Sequence, residues 1–175
     1  MKAVILAGGE GTRLRPLTAR RPKPMVKILD QTVLDHTVAL LKKTGITEIC
    51  MTLGYLPEMI RASFGDGSSL GVRIETRVET HPLGTAGAVK ACADFIGQED
   101  FLVLSGDAVC NFDLKAVIEA HKAAHAQASL VLYSHDRPLE YGLVITQPDG
   151  RISRFVEKPG WEGVCTDLVL SLIHI

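Results

Sequence analysis

Residues 6–27 combine three glycines with six cationic side chains in a stretch that has no helical spacing. The glycines of Leu6-Ala7-Gly8-Gly9-Glu10-Gly11-Thr12 directly follow an apolar run that reads as a buried strand. Glycines placed there let backbone N–H groups close on phosphate oxygens, because no Cβ blocks the approach. Arg13, Arg15, Arg20, Arg21, Lys23 and Lys27 follow, interrupted by Pro16, Pro22 and Pro24. Cations held on an irregular loop suit a small polyanion, with Arg13 as a bidentate fork and Lys23 as a point charge. No Gly-Lys-Ser/Thr closes the loop, so it is not a P-loop. Leu14 stands where a dinucleotide fingerprint needs its third glycine.

Carboxylates and further glycines recur at defined places. Phe101-Leu102-Val103-Leu104-Ser105-Gly106-Asp107 is an apolar run that ends in an acid. Ligands gather at the carboxyl ends of strands in open α/β sheets, so Asp107 is placed for function; capping the next turn is the alternative. Glu79-Thr80-His81-Pro82-Leu83-Gly84-Thr85-Ala86-Gly87 opens a helix. On their own residues, Gly142 after Tyr141 reads as relief of crowding in a strand, and Glu157-Lys158 as a surface ion pair. His121 and His125 share a helix face without a third ligand in view, and read as solvated.

The elements that must hold these groups follow from hydrophobic period. Strands are expected at 2–7, 47–53, 72–78, 101–105, 129–134, 142–146 and 151–157, and helices at 32–44, 55–63, 84–95 and 113–126. Asp113 fits an N-cap, Gly45 a helix stop, and Pro148-Asp149-Gly150 a hairpin turn. The alternation predicts an α/β, Rossmann-like fold: a mostly parallel sheet with helices on both faces and an antiparallel hairpin near the C-terminus. The 175 residues carry a net charge of −1, with 46% hydrophobic and 22% charged residues, as in an ordinary globular domain. That balance argues against nucleic acid or an anionic membrane as partner. No apolar run approaches the roughly 20 residues of a membrane span. The four cysteines are widely spaced, without a C-x-x-C pair, which suits reduced thiols in a cytoplasmic protein.

Leu6-Ala7-Gly8-Gly9, Gly11-Thr12-Arg13-Leu14 and Arg21-Pro22-Lys23-Pro24 together resemble the opening of the sugar-1-phosphate nucleotidyltransferase family. The likeness is greatest to the mannose-1-phosphate guanylyltransferases, with glucose-1-phosphate thymidylyl-, uridylyl- and adenylyltransferases as relatives. It implies transfer of a nucleotidyl group from a nucleoside triphosphate to a sugar 1-phosphate, with release of pyrophosphate. By that resemblance Leu6, Ala7, Gly8, Gly9, Gly11 and Thr12 cradle the nucleotide, Arg13 and Lys23 grip its triphosphate, and Asp107 binds Mg²⁺. Glu79 and the backbone near Gly84 read the base. Gly142, Glu157 and Lys158 hold the sugar and its phosphate. A carboxylate at position 79 can accept from the two adjacent donors of guanine, which favours GTP, and with it mannose 1-phosphate. A dTTP- or UTP-dependent glucose-1-phosphate enzyme and a catalytically impaired binding or regulatory module are the alternatives. A nicotinamide-dependent oxidoreductase is disfavoured by Leu14 and Arg13.

The likeness runs through residues 1–169, expected to form one nucleotidyltransferase domain that is incomplete at its C-terminal end. Where the family continues with Asn-Thr-Gly and, further on, a second metal-binding aspartate, this sequence has Leu170-Ser171-Leu172-Ile173-His174-Ile175. That departure predicts a truncated or frame-shifted product whose atypical apolar tail can add a strand but brings no carboxylate. The sequence also admits a homo-oligomer.

Overall fold

The structure is a computed structural model that describes residues 1–137, 141–157 and 166–174, the last five as backbone. In chain order the strands are β1 Lys2–Ala7, β2 Lys27–Ile28, β3 Gln31–Thr32, β4 Glu48–Leu53, β5 Arg73–Val78, β6 Phe101–Ser105, β7 Ser129–Ser134, β8 Leu143–Thr146, β9 Ile152–Val156 and β10 Leu168–His174. The helices are α1 Val33–Thr44, α2 Pro57–Phe64, α3 Gly84–Lys90, α4 Ala93–Ile96 and α5 Leu114–Ala123.

β5, β4, β1 and β6 lie side by side and parallel, with Ile5 opposite both Met51 and Leu104. β10 runs antiparallel to β6, β7 and β8, and β8 and β9 form an antiparallel hairpin. In the parallel half, consecutive residues are buried, as in Ala3-Val4-Ile5 and Ile49-Cys50-Met51. A strand covered on both faces needs apolar side chains at every position rather than at alternate ones. The strand's period of two then divides the core. Ala3, Ile5, Ile49, Met51, Leu102 and Leu104 face Leu34, Leu41, Ile60, Phe64 and Leu114 of α1, α2 and α5. Val4, Cys50 and Val103 face Val89, Cys92, Phe95 and Ile96 of the α3–α4 segment. Helices therefore cover both faces, as the alternating pattern predicts. Among the described residues no helix is long and apolar enough to cross a membrane.

Local chemistry sets the ends. Thr32 caps α1 reciprocally: its hydroxyl accepts from the Asp35 backbone N–H at 3.1 Å, and the Asp35 carboxylate accepts from the Thr32 N–H at 2.8 Å. Gly45 ends α1 at φ 88°, a conformation a Cβ would oppose. Asp113 caps α5 by accepting from the N–H groups of Lys115 and Ala116. Gly150 turns the β8–β9 hairpin at φ 84°.

Three features differ from the sequence expectation. α5 ends at Ala123, so His125, at φ 47°, lies beyond the helix and shares no helix face with His121. The helix expected over 84–95 is broken at Ala91-Cys92. The Cys92 N–H bonds the Val89 carbonyl three residues back, and this tighter turn brings Phe95 and Ile96 beside Cys92 in the second core. The basic stretch holds short elements that hydrophobic period does not reveal: 3₁₀ turns at Thr12–Leu14 and Lys23–Met25 and the small β2–β3 hairpin. At the C-terminal end, β10 runs across residue 169, so residues 170–174 continue a strand of the sheet.

Candidate functional site

The glycine-rich loop leaves β1 at the carboxyl edge of the parallel strands. Gly54, just after β4, brings that strand's end against it, since a Cβ on Gly54 would lie 2.4 Å from the Gly8 carbonyl oxygen. The Tyr55 N–H donates to the same oxygen at 3.3 Å. Gly11 sits at φ 62°, and a Cβ there would lie 2.8 Å from the Cβ of Lys23. Its carbonyl accepts from the buried Thr18 hydroxyl at 2.8 Å. The loop thus folds back on the segment that carries Lys23. Gly9 is different: it is exposed, and a Cβ would meet nothing within 4 Å.

Gly106 anchors the end of β6 to β1 through its N–H, which donates to the Leu6 carbonyl at 2.8 Å. A side chain at 106 would press on Ile5 at 2.9 Å, so the approach requires glycine. Asp107 follows, and its two oxygens have separate partners. Ser105 Oγ donates to Oδ1 at 2.5 Å, and Lys23 Nζ donates to Oδ2 at 2.6 Å. Burial pushes the Asp107 carboxyl up. The Lys23 and Ser105 hydrogen bonds and the lysine's charge outweigh that and hold it below the ordinary carboxylate value.

Glu79 follows β5 and is fixed at its backbone, where its N–H donates to the Leu53 carbonyl at 2.8 Å. Its carboxylate accepts from the Leu83 N–H at 3.2 Å, and Oε1 comes so near Gly8 that a Cβ there would lie 3.1 Å away. A cleft of about 810 Å³ opens between these pieces. Its lining includes Leu6, Ala7, Gly8, Gly9, Gly11, Lys23, Glu79, Gly84 and Asp107, nine residues to which the resemblance gives a role. The structure therefore gathers them in one place.

Thr12 and Arg13 are exposed on their 3₁₀ turn and are not among the residues that line the cleft. Gly142 and Glu157 meet across the β8–β9 hairpin, where a Cβ on Gly142 would lie 3.0 Å from Glu157 Oε2. Lys158 lies outside the described residues.

The family model described as nucleotidyl transferase matches residues 2–166. The chain belongs to the nucleotidyl transferase family. Among curated proteins it is similar to the mannose-1-phosphate guanyltransferase of Aspergillus fumigatus, at 41% identity over 164 residues. It is also similar to mannose-1-phosphate guanyltransferase beta-B of Xenopus laevis, at 39% over 163 residues. Each comparison covers 91% of this chain and 45% of the relative, so the chain spans somewhat under half their length. Among solved structures, a Bacillus anthracis protein assigned as a glucose-1-phosphate thymidylyltransferase, in complex with sucrose, superimposes with a TM-score of 0.89. It is 29% identical, over 99% of this chain and 70% of that one. A UDP-glucose pyrophosphorylase holding UDP-glucose shares the fold, with a TM-score of 0.85 at 20% identity over 99% of this chain and 74% of that one.

Several residues of this cleft have no role in the sequence reading. Gly54, Tyr55, Thr52 and Ser105 all line it. Gly54 had a signal, a glycine directly after an apolar strand, as Gly8 is. Ser105 had a weaker one, a hydroxyl two residues before an acid. Tyr55 had none: its ring turns toward the basic loop, where the hydroxyl donates to the Ala19 carbonyl at 2.9 Å. The Thr52 hydroxyl is buried without a hydrogen-bond partner among the described residues, and burial of that kind is not written in sequence.

Proposed function

We propose that this chain forms the nucleotide-handling part of a sugar-1-phosphate nucleotidyltransferase, and that GTP and mannose 1-phosphate are its substrates. The observation that carries the reading is the convergence of the glycine loop, Lys23, Asp107 and Glu79 on one cleft. Gly8, Gly9 and Gly11 offer backbone N–H groups to the triphosphate, and Lys23 adds an ammonium. Glu79 offers acceptors in the same cleft, beside Gly8, where a guanine edge would present N1–H and N2–H₂. The guanyltransferase names of its similar curated proteins favour the same pair of substrates.

No protein nucleophile is required. A phosphate monoester has a second pKa of about 6, so a sugar 1-phosphate is mostly dianionic at neutral pH. Its oxygen attacks the α-phosphorus in line, and pyrophosphate leaves. The protein's part is to align two anions and hold cations against them. Gly142 and Glu157 would take the sugar, the carboxylate accepting from its hydroxyls, with Lys158 on its phosphate and Arg13 on the triphosphate.

The donor chemistry of the cleft fits Mg²⁺. Among the described residues no cluster of three His, Cys, Asp or Glu side chains could hold a metal by itself. Mg²⁺ commonly takes only one or two carboxylates and fills its other positions with water and phosphate oxygens. Asp107 would supply the carboxylate. When bound, the ion would neutralise charge on the triphosphate oxygens.

A thermal-shift panel of GTP, dTTP, UTP, ATP and CTP with Mg²⁺ tests the base. GTP should raise Tm most, and a larger shift with dTTP or UTP refutes the guanine assignment. Pyrophosphate release from GTP and mannose 1-phosphate then separates an enzyme from a module that binds nucleotide without turnover.

A further inference from the structure

The cleft holds its two opposite charges against each other. Lys23 Nζ sits 2.6 Å from Asp107 Oδ2, and Ser105 Oγ occupies Oδ1 at 2.5 Å. Both carboxylate oxygens are engaged, and a divalent cation approaching Asp107 meets an ammonium already in place. Among the described residues no other acid, cysteine or histidine completes a metal cluster there. The pair is also shielded, with about a third of each side chain exposed, at 32% and 38%. Like-charge repulsion between Lys23 and an incoming cation is therefore less screened than on an open surface.

We infer that Lys23 is a resident counter-ion which keeps divalent cations off Asp107 until a polyphosphate draws its ammonium away, so that metal binding is conditional on nucleotide. The inference rests on the assignment of triphosphate and metal to this cleft. The exchange needs little movement. The Lys23 stem leaves the backbone beside Gly11, whose Cβ, if it had one, would lie 2.8 Å from the lysine Cβ. Rotation about a flexible four-carbon side chain carries Nζ from Asp107 toward phosphates held at the glycine loop. The same rotation uncovers Oδ2, while Ser105 keeps Oδ1 and leaves a single oxygen for the ion. A cation arriving on its own gains one carboxylate oxygen only by displacing a hydrogen-bonded ammonium. A cation arriving with a triphosphate brings the charge that moves it.

The test is Mn²⁺ binding without nucleotide, followed by the loss of the free-ion electron paramagnetic resonance signal. Lys23→Met keeps the stem that packs at Gly11 and removes the charge. It should bind Mn²⁺ at least about tenfold more tightly than the unmodified protein, a modest share of the Coulomb energy between two charges at this distance. Adding Asp107→Asn to Lys23→Met should abolish the gain. Lys23→Gln should behave as Lys23→Met does and serves in its place if that variant fails to fold. Equal affinity in unmodified and lysine-free proteins overturns the inference, as does a gain that survives Asp107→Asn. Failure of GTP to bind the unmodified protein overturns the nucleotide assignment and the conditional step with it. The Mn²⁺ comparison alone decides whether Lys23 guards Asp107.

Discussion

Gly9 and Gly54 both border the cleft, and the structure predicts opposite consequences for the same added methyl group. At Gly54 the new Cβ would lie 2.4 Å from the Gly8 carbonyl oxygen and 3.1 Å from its carbon, backbone atoms at the root of the glycine loop. The loop must move or β4 must bend, and forced overpacking of that kind costs about 1–3 kcal/mol. For a chain of this length that lowers Tm by roughly 2–12 °C. At Gly9 the Cβ would meet nothing within 4 Å, and φ lies outside the left-handed region. Gly9→Ala should instead stabilise the free protein by about 0.4–1 kcal/mol, because alanine restricts the unfolded chain more than glycine does. Yet the space around Gly9 is where a triphosphate is proposed to lie. Losing one charge-assisted backbone hydrogen bond there costs about 1.5–3 kcal/mol, or roughly 10- to 150-fold in affinity. Chemical denaturation without ligand and GTP titration by calorimetry, run on both variants, read the two effects separately. A Gly9→Ala protein that binds GTP as tightly as its parent refutes the placement of the phosphates.

Four further outcomes are expected. Asp107→Asn should lose on the order of 10²–10³ in rate at limiting Mg²⁺ in any preparation that turns over. Because the Asp107 carboxyl titrates below its usual value, its contribution to stability is complete above about pH 4 and lost as pH falls through the folded value. Acid denaturation of the variant should lack that component. Glu79→Gln should weaken the preference for GTP by about 1.5–3 kcal/mol, measured as the ratio of GTP to UTP affinity, since an amide also donates to a pyrimidine carbonyl. Arg13→Ala should raise the triphosphate requirement and Lys158→Ala the sugar-phosphate requirement; equal loss of GTP binding in both refutes two separate phosphate sites.

Hydrophobic period placed β1, β4, β5, β6, β7, β8 and β9 to within a residue or so of each end. In β1, β4 and β6 that legibility comes from burial on two faces, which demands largely apolar runs. The basic loop was legible in composition only. Its shape depends on Thr18 bonding Gly11, Tyr55 bonding Ala19 and Lys23 reaching Asp107, 84 positions away. Such contacts leave no periodic trace, because each reaches out from a side chain on irregular backbone. The glycines were legible as glycines, but their reasons were not. Gly11 bends the chain at positive φ, Gly54 and Gly106 permit close approach, and Gly9 stands free. Only the structure distinguishes a glycine that the fold needs from one left open to a ligand.

The chain's last strand separates what a sheet requires from what a site requires. After Val169 the sequence departs from the pattern that the resemblance implies, and Leu170 stands where it implies an asparagine. The backbone nonetheless pairs with β6 at Ile173 and His174 and with β7 from Leu168 to His174, irregularly between Leu170 and Leu172. A strand is held through main-chain N–H and C=O groups, a full set of which every residue but proline supplies. Sequence can therefore change there with little consequence for topology. A site has no such tolerance, because it needs particular atoms at particular distances, as Ser105 and Lys23 supply around Asp107. The sheet delivers Asp107 to the cleft through β6, whose pairing with β1 and anchorage at Gly106 do not involve β10. The proposed nucleotide end of the site thus depends on the parallel strands, and the departure at Leu170 bears on the proposed sugar-phosphate end, to which the resemblance assigns that asparagine.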